Sequence, residues 1–145
     1  MSETAHVKNC FGCSPDNPVG LKLKFEIKNN LLVGEFDSNQ SHEGPPGLVH
    51  GGVISAVIDE SFAFFAVRML KIDVRTIRIE IVFRNPVHIK DRLHIETSLK
   101  EEKSRAVIIG SRVYSGNAII AEALGTLYKI KTEKGLNGSK NAGKQ

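Results

Sequence analysis

His50-Gly-Gly-Val-Ile-Ser-Ala-Val-Ile-Asp59-Glu60-Ser-Phe-Ala-Phe-Phe-Ala-Val-Arg-Met69-Leu70 is the stretch that decides the fold. From about Gly51 to Leu70 its apolar residues recur at helical spacing, and they cover nearly every side of the helix they predict. A helix at a protein surface shows a polar stripe; one without it must be enclosed by other structure. The glycine pair marks the helix start, where the first-turn N–H groups have no partner inside the helix.

Strand patterns flank this helix on both sides. Upstream, Leu21-Lys-Leu-Lys-Phe-Glu-Ile27 alternates as a half-buried strand, Asn29-Asn30 turns the chain, and Leu31 to Phe36 returns. Residues 37–48 read as loop. Downstream, Thr76-Ile-Arg-Ile-Glu-Ile-Val-Phe83 alternates and stops at Asn85-Pro86, because proline cannot donate to a ladder. Asp91 to Leu99, Ala106 to Tyr114 and Ile119 to Ile130 follow as strands, separated by the charged turn Glu101–Arg105 and by Ser115-Gly-Asn117. Two strands, one long helix and four strands predict an α+β domain: an antiparallel sheet wrapped around one central helix, with a free edge that seeks a second chain. Residues 1–130 make up this single domain. The tail 131–145, rich in Lys, Gly and Asn, has too little to bury and is expected to be disordered.

Composition narrows the function classes. The 145 residues are 41% hydrophobic and 25% charged, a globular balance. The most apolar stretch, Val53 to Leu70, carries Asp59, Glu60 and Arg68, which rules it out as a membrane span. The first residues lack the apolar run of a signal peptide, so a cytoplasmic protein with no membrane partner is expected. The formal net charge is +4, but Lys131, Lys134, Lys140 and Lys144 face only Glu133 in the tail. Most of the excess positive charge therefore lies outside the fold, and nucleic acid is not expected as a partner.

Three groups of residues invite chemistry. The amides and positive dipole end at Gly51 and Gly52 suit an oxyanion, although glycines there also serve a tight loop-to-helix turn. His50, just before them, either contacts a substrate carbonyl or caps the helix. Asp59 and Glu60 stand in an apolar helix, so at least one carboxylate meets apolar surface and its pKa should rise, as suits a general base. The plainer reading pairs that acid with Arg68, Arg75 or Arg78. Asp59 lies roughly 11 to 12 Å along the helix from the glycines, at about 1.5 Å per residue. Both groups must come within about 3 Å of one reacting carbonyl, or reach it through one water. One chain cannot supply both, so cooperation requires a homodimer with the glycine end donated by the second subunit.

Cys10-Phe-Gly-Cys13 runs into the turn-rich Ser14-Pro-Asp-Asn-Pro-Val-Gly20, unlike a redox motif that opens a helix. Zinc needs about four ligands, and only His6 or His42 could join the pair, so a structural loop and no metal are expected. Lys103-Ser104-Arg105 is a basic turn, read either as solvated or as a clamp for a phosphate-bearing ligand.

Together, His50-Gly51-Gly52 followed by six residues and Asp59, the segment Thr76 to Pro86, and Ala121-Glu-Ala-Leu-Gly-Thr126 resemble the hotdog-fold acyl-CoA thioesterases of the PaaI-like superfamily. Asn9-Cys-Phe-Gly-Cys13 with Asn17-Pro-Val-Gly-Leu21 is similar to the subgroup that includes human thioesterase superfamily members 4 and 5. The resemblance implies Asp59 as base or nucleophile, Gly52 or Gly51 as oxyanion donor from the partner chain with His50 assisting, and Thr76 orienting the attacking water. It implies Lys103, Ser104 and Arg105 at the nucleotide end of coenzyme A, and Glu60 is taken as a further candidate for substrate binding. It implies no cofactor beyond the coenzyme A of the substrate, and a homodimer or homotetramer. Several relatives carry an Asn six residues before the histidine; Gly44 stands there instead. Two other readings remain open: an acyl-thioester dehydratase using Ser41-His42-Glu-Gly-Pro-Pro-Gly47 with Glu60, and a non-catalytic acyl-CoA binding module.

Overall fold

The computed structural model of the protein describes residues 8–131. From residue 132 onward the tail expected to be disordered lies outside the described residues. Strands β1 (Lys24–Lys28), β2 (Leu31–Asp37), β3 (Asp73–Phe83), β4 (Arg92–Glu102), β5 (Ala106–Ser115) and β6 (Ala118–Ile130) form one sheet in the order β1-β2-β4-β5-β6-β3. Every pairing is antiparallel. Helix α1 (Gly51–Met69) packs against the sheet, and no residue from Val53 to Leu70 is exposed. The helix without a polar stripe is enclosed, as its sequence requires.

Val57, Ile58, Phe62 and Ala66 of α1 have zero exposure and join one core with Leu32, Leu93, Ile95, Ile109, Val113 and Leu127 from the strands. Each such large side chain contributes on the order of 1.5–3 kcal/mol when buried, so this seam carries most of what holds sheet to helix. A Cβ at Gly125 would stand 2.5 Å from the Phe62 ring; β6 passes the helix closely only because that residue is glycine. Three buried hydroxyls fix the helix in register. Thr97 Oγ1 of β4 lies 2.9 Å from Ser61 Oγ and 3.1 Å from Ser111 Oγ of β5, and Ser61 donates to the Ile58 carbonyl.

Several strand boundaries differ from the sequence reading: β3 begins at Asp73 rather than Thr76, and two others have a visible cause. The first strand begins at Lys24 rather than Leu21. Leu21 and Leu23 donate their N–H groups to the carbonyls of Phe11 and Gly12, and Lys22 takes a positive φ of 56°, so this part of the alternation pairs with the N-terminal loop instead. β4 continues to Glu102 through an irregularity between Leu99 and Glu101, which shortens the charged turn to 103–105. No helix among the described residues is long and apolar enough to cross a membrane.

Candidate active site

The start of α1 is capped by its own histidine. His50 Nδ1 accepts from the Gly52 N–H at 2.8 Å. A ring accepting at Nδ1 carries its proton at Nε2, which leaves Nε2–H as a donor toward solvent or ligand. The capping reading of His50 therefore holds. It also separates the two glycines: the Gly52 amide is engaged, whereas the Gly51 N–H has no acceptor among the described residues. Gly44 packs tightly beneath this cap, and a Cβ there would stand 2.9 Å from His50 Cα. The side chain that several relatives carry at this position has no room here unless the backbone moves.

Asp59, eight residues further along α1, accepts from Thr76 Oγ1 at 2.8 Å. Strict alternation along β3 would turn Thr76 away from α1 with Arg78 and Glu80, opposite Ile79 and Ile81. A bulge between Thr76 and Arg78 corrects the phase. Ile77 is the extra residue and is 53% exposed, so Thr76 and the isoleucines share the helix-facing side. Toward the other end of β3, Phe83 approaches Gly51. The acid and the glycine end of one chain thus meet different parts of the same strand.

Glu60 faces the opposite flank of the helix. Cys10 Sγ donates to Glu60 Oε2 at 3.7 Å, and Gly12 packs so closely that a Cβ there would overlap the carboxyl group. Burial pushes the Glu60 carboxyl above its ordinary value of 4.5, with the Asp59 charge adding to the rise and the two thiol hydrogen bonds opposing it. Burial, with help from Cys10 and Glu60, also pushes the Cys13 thiol far up, which keeps it protonated and unsuited to nucleophilic chemistry. The acid with an apolar setting is therefore Glu60. Neither acid takes an arginine: Arg68 donates to the Phe25 carbonyl and stacks on Phe64, Arg75 donates to the Val74 carbonyl, and Arg78 pairs with Glu80.

Residues 46–120 match the sequence profile of the thioesterase superfamily, which covers slightly more than half of the chain. The chain belongs to that superfamily. The phenylacetic acid degradation protein PaaI from Thermus thermophilus, solved as a single-residue mutant, is 19% identical. It aligns over 76% of this chain and 95% of its own, with a TM-score of 0.70. A hypothetical thioesterase protein from Streptococcus pneumoniae, solved with coenzyme A, is 15% identical over 76% and 90% of the two chains, with a TM-score of 0.71. The smu.793 protein from Streptococcus mutans, bound to acetyl CoA, is 14% identical over 76% and 90% of the two chains, with a TM-score of 0.70. At these identities the likeness carries the fold, the hotdog arrangement of one long helix against an antiparallel sheet.

Within this thioesterase-superfamily fold, some expected site residues meet and others do not. Asp59 and Thr76 are joined directly. Lys103, Ser104 and Arg105 are all exposed at the β4–β5 turn. The register links Thr76 to Leu127, Leu127 to Val107 and Val107 to Glu102, so the turn lies at the Thr76 end of the sheet. Two to three strand spacings, roughly 10 to 14 Å, separate them. His42 and Glu60, the pair of the dehydratase reading, have separate partners: His42 Nδ1 accepts from the Asn39 N–H and its ring packs on Phe36. Phe62 and Phe65 are core side chains, with 0% and 2% exposure. A concavity of about 460 Å³ is bordered by Glu80, Arg84, Glu96, Lys100, Arg112 and Glu122, and none of the candidate residues lines it.

Proposed function

We propose that the protein hydrolyses acyl-CoA thioesters, with Asp59 as the base and a site completed by a second copy of the chain. The observation that carries this reading is the 2.8 Å hydrogen bond from Thr76 to Asp59, held by the bulge in β3 on the enclosed helix of a thioesterase-superfamily domain. Thr76 donates to Oδ1 and so leaves Oδ2 to accept the proton of an attacking water. As that water adds to the thioester carbonyl, negative charge grows on the carbonyl oxygen and calls for a fixed N–H donor. The partner subunit's Gly51 is that donor; its N–H is free because His50 holds Gly52. The Nε2–H of the same histidine is available to assist. Collapse of the tetrahedral intermediate expels the coenzyme A thiolate and leaves the free acid, and no step needs a metal.

The second copy is required by distance. α1 is continuous from Gly51 through Asp59, which separates the two by roughly 11 to 12 Å at about 1.5 Å per residue. β3 supplies the edge for it. It is an 11-residue outer strand carrying exposed Ile77, Val82 and Phe83, the kind of edge that pairs with another chain. In the dimer, two β3 strands run antiparallel and bring each Gly51, beside its Phe83, toward the partner's acid. Lys103 and Arg105 then take the phosphates of coenzyme A.

Thiol release from short, medium, long and aryl acyl-CoAs tests the activity, with Asp59→Asn as the decisive variant. Release in the wild type and its loss in a folded Asp59→Asn dimer are expected. Undiminished turnover in that variant, or an active monomer in sedimentation experiments, overturns the mechanism.

A further inference from the structure

The flank of α1 away from Thr76 holds a second group of side chains that thioester hydrolysis does not use. The Sγ atoms of Cys10 and Cys13 and a carboxylate oxygen of Glu60 all lie within 4.8 Å of one another. Two sulfurs come from one tight turn and the oxygen from the helix, fifty residues away in sequence. The turn is fixed from both sides, by Ser14 N–H to the Cys10 carbonyl and by Leu21 and Leu23 N–H to the carbonyls of Phe11 and Gly12. Gly12 lets the turn close directly onto the Glu60 carboxyl group, where any larger residue would hold it off.

None of the ion pairs among the described residues includes Glu60. A half-buried carboxyl group with no cationic partner among the described residues, facing two free thiols, offers one oxygen and two sulfur donors to a single ion. Hard cations such as Ca²⁺ or Mg²⁺ want oxygen ligands throughout, whereas sulfur donors select borderline and soft ions. Tetrahedral Zn²⁺ with Zn–S bonds of about 2.3 Å sets its sulfurs roughly 3.8 Å apart. The sulfurs lie within 4.8 Å of each other, so no more than about 1 Å of side-chain movement brings them to that value. We propose that Cys10, Cys13 and Glu60 form a three-ligand site for Zn²⁺ or a chemically similar dication, with water in the fourth position.

Binding releases the two thiol protons to solvent, and the bound ion clamps the N-terminal turn to α1 one residue from Asp59. Sequence reasoning counted His6 or His42 as further ligands; His6 lies outside the described residues, His42 has other partners, and the helix supplies a carboxylate.

The chain has only two cysteines, so every thiol signal reports on this site. Untagged full-length protein, reduced and then stripped with a chelator, is titrated with Co²⁺. The expected result is a thiolate-to-cobalt charge-transfer absorption saturating at one equivalent per chain and bleached by Zn²⁺. Cys10→Ser and Cys13→Ser should each remove it, and Glu60→Gln should weaken Co²⁺ binding about tenfold or more. A second measurement needs no variant: Zn²⁺ should protect both thiols of the wild type from an alkylating reagent, and the chelator should reverse the protection. Absence of the absorption up to millimolar Co²⁺, absence of protection, or an unchanged absorption in the Cys10→Ser/Cys13→Ser double variant overturns the site.

Discussion

The two flanks of α1 treat adjacent carboxylates in opposite ways. Asp59 meets a strand hydroxyl at 2.8 Å and keeps one oxygen free, whereas Glu60 is closed over by a turn with two thiols and a glycine pressed against it. A single step along a helix, about 100° around its axis, separates an acid held by a strand hydroxyl from an acid enclosed by a turn. Chemical identity says little about role here; the element packed against each side chain assigns it.

The comparison breaks if the two acids prove interchangeable in a kinetic assay. Asp59→Asn should lower kcat for acyl-CoA hydrolysis by roughly 10²–10⁴-fold, the range lost with a general base, while Glu60→Gln should stay within a few-fold of wild type. Equal losses would mean that the two flanks do not divide the work. Thr76→Val sharpens the same point from the strand side. Removing one hydrogen bond to a charged carboxylate should cost about 1.5–3 kcal/mol, or roughly 10- to 100-fold in kcat/KM, with the thermal midpoint barely moved. A large stability loss with unchanged kinetics would reduce the contact to a structural one.

On the thiol flank, the expected effects are on stability. Gly12→Ala inserts a methyl group into the Glu60 carboxyl group and should destabilise by about 1–3 kcal/mol in a denaturant titration. The smallest effect concerns pH. Because burial raises the folded-state value of Glu60 above 4.5, the folded chain holds a proton that the unfolded chain gives up. Stability from this group is therefore full below pH 4.5 and is lost as pH rises through the raised value. Chelator-treated Glu60→Gln should show a flatter stability curve above pH 4.5 than wild type, read by thermal melts across that range.

Much of this architecture was legible in the sequence, and the rest was hidden for physical reasons. The enclosed helix and the succession of strands along the chain follow from periodicity, which local residues fix by themselves, whereas the placing of β3 beside β6 depends on long-range pairing. The cap by His50 follows from its place before the glycine pair. The strand start at Lys24 was obscured because Leu21 and Leu23 alternate like strand residues while pairing with the N-terminal loop. The orientation of Thr76 was hidden because a bulge interrupts a sequence whose alternation is unbroken. The setting of Glu60 depends on a turn fifty residues away, and no short-range pattern connects them. Which of the Gly51 and Gly52 amides is left without an acceptor required seeing which one the histidine takes.

The surplus residue in β3 has a consequence for how the domain tolerates change. Ile77 sits between two positions that already pair with consecutive neighbours, Leu127 and Thr126. Excising it would straighten the strand without rotating anything on either side, so a one-codon deletion, ruinous in most strands, is absorbed here. Descendant chains with and without the isoleucine could therefore interconvert while the threonine stays over the helix.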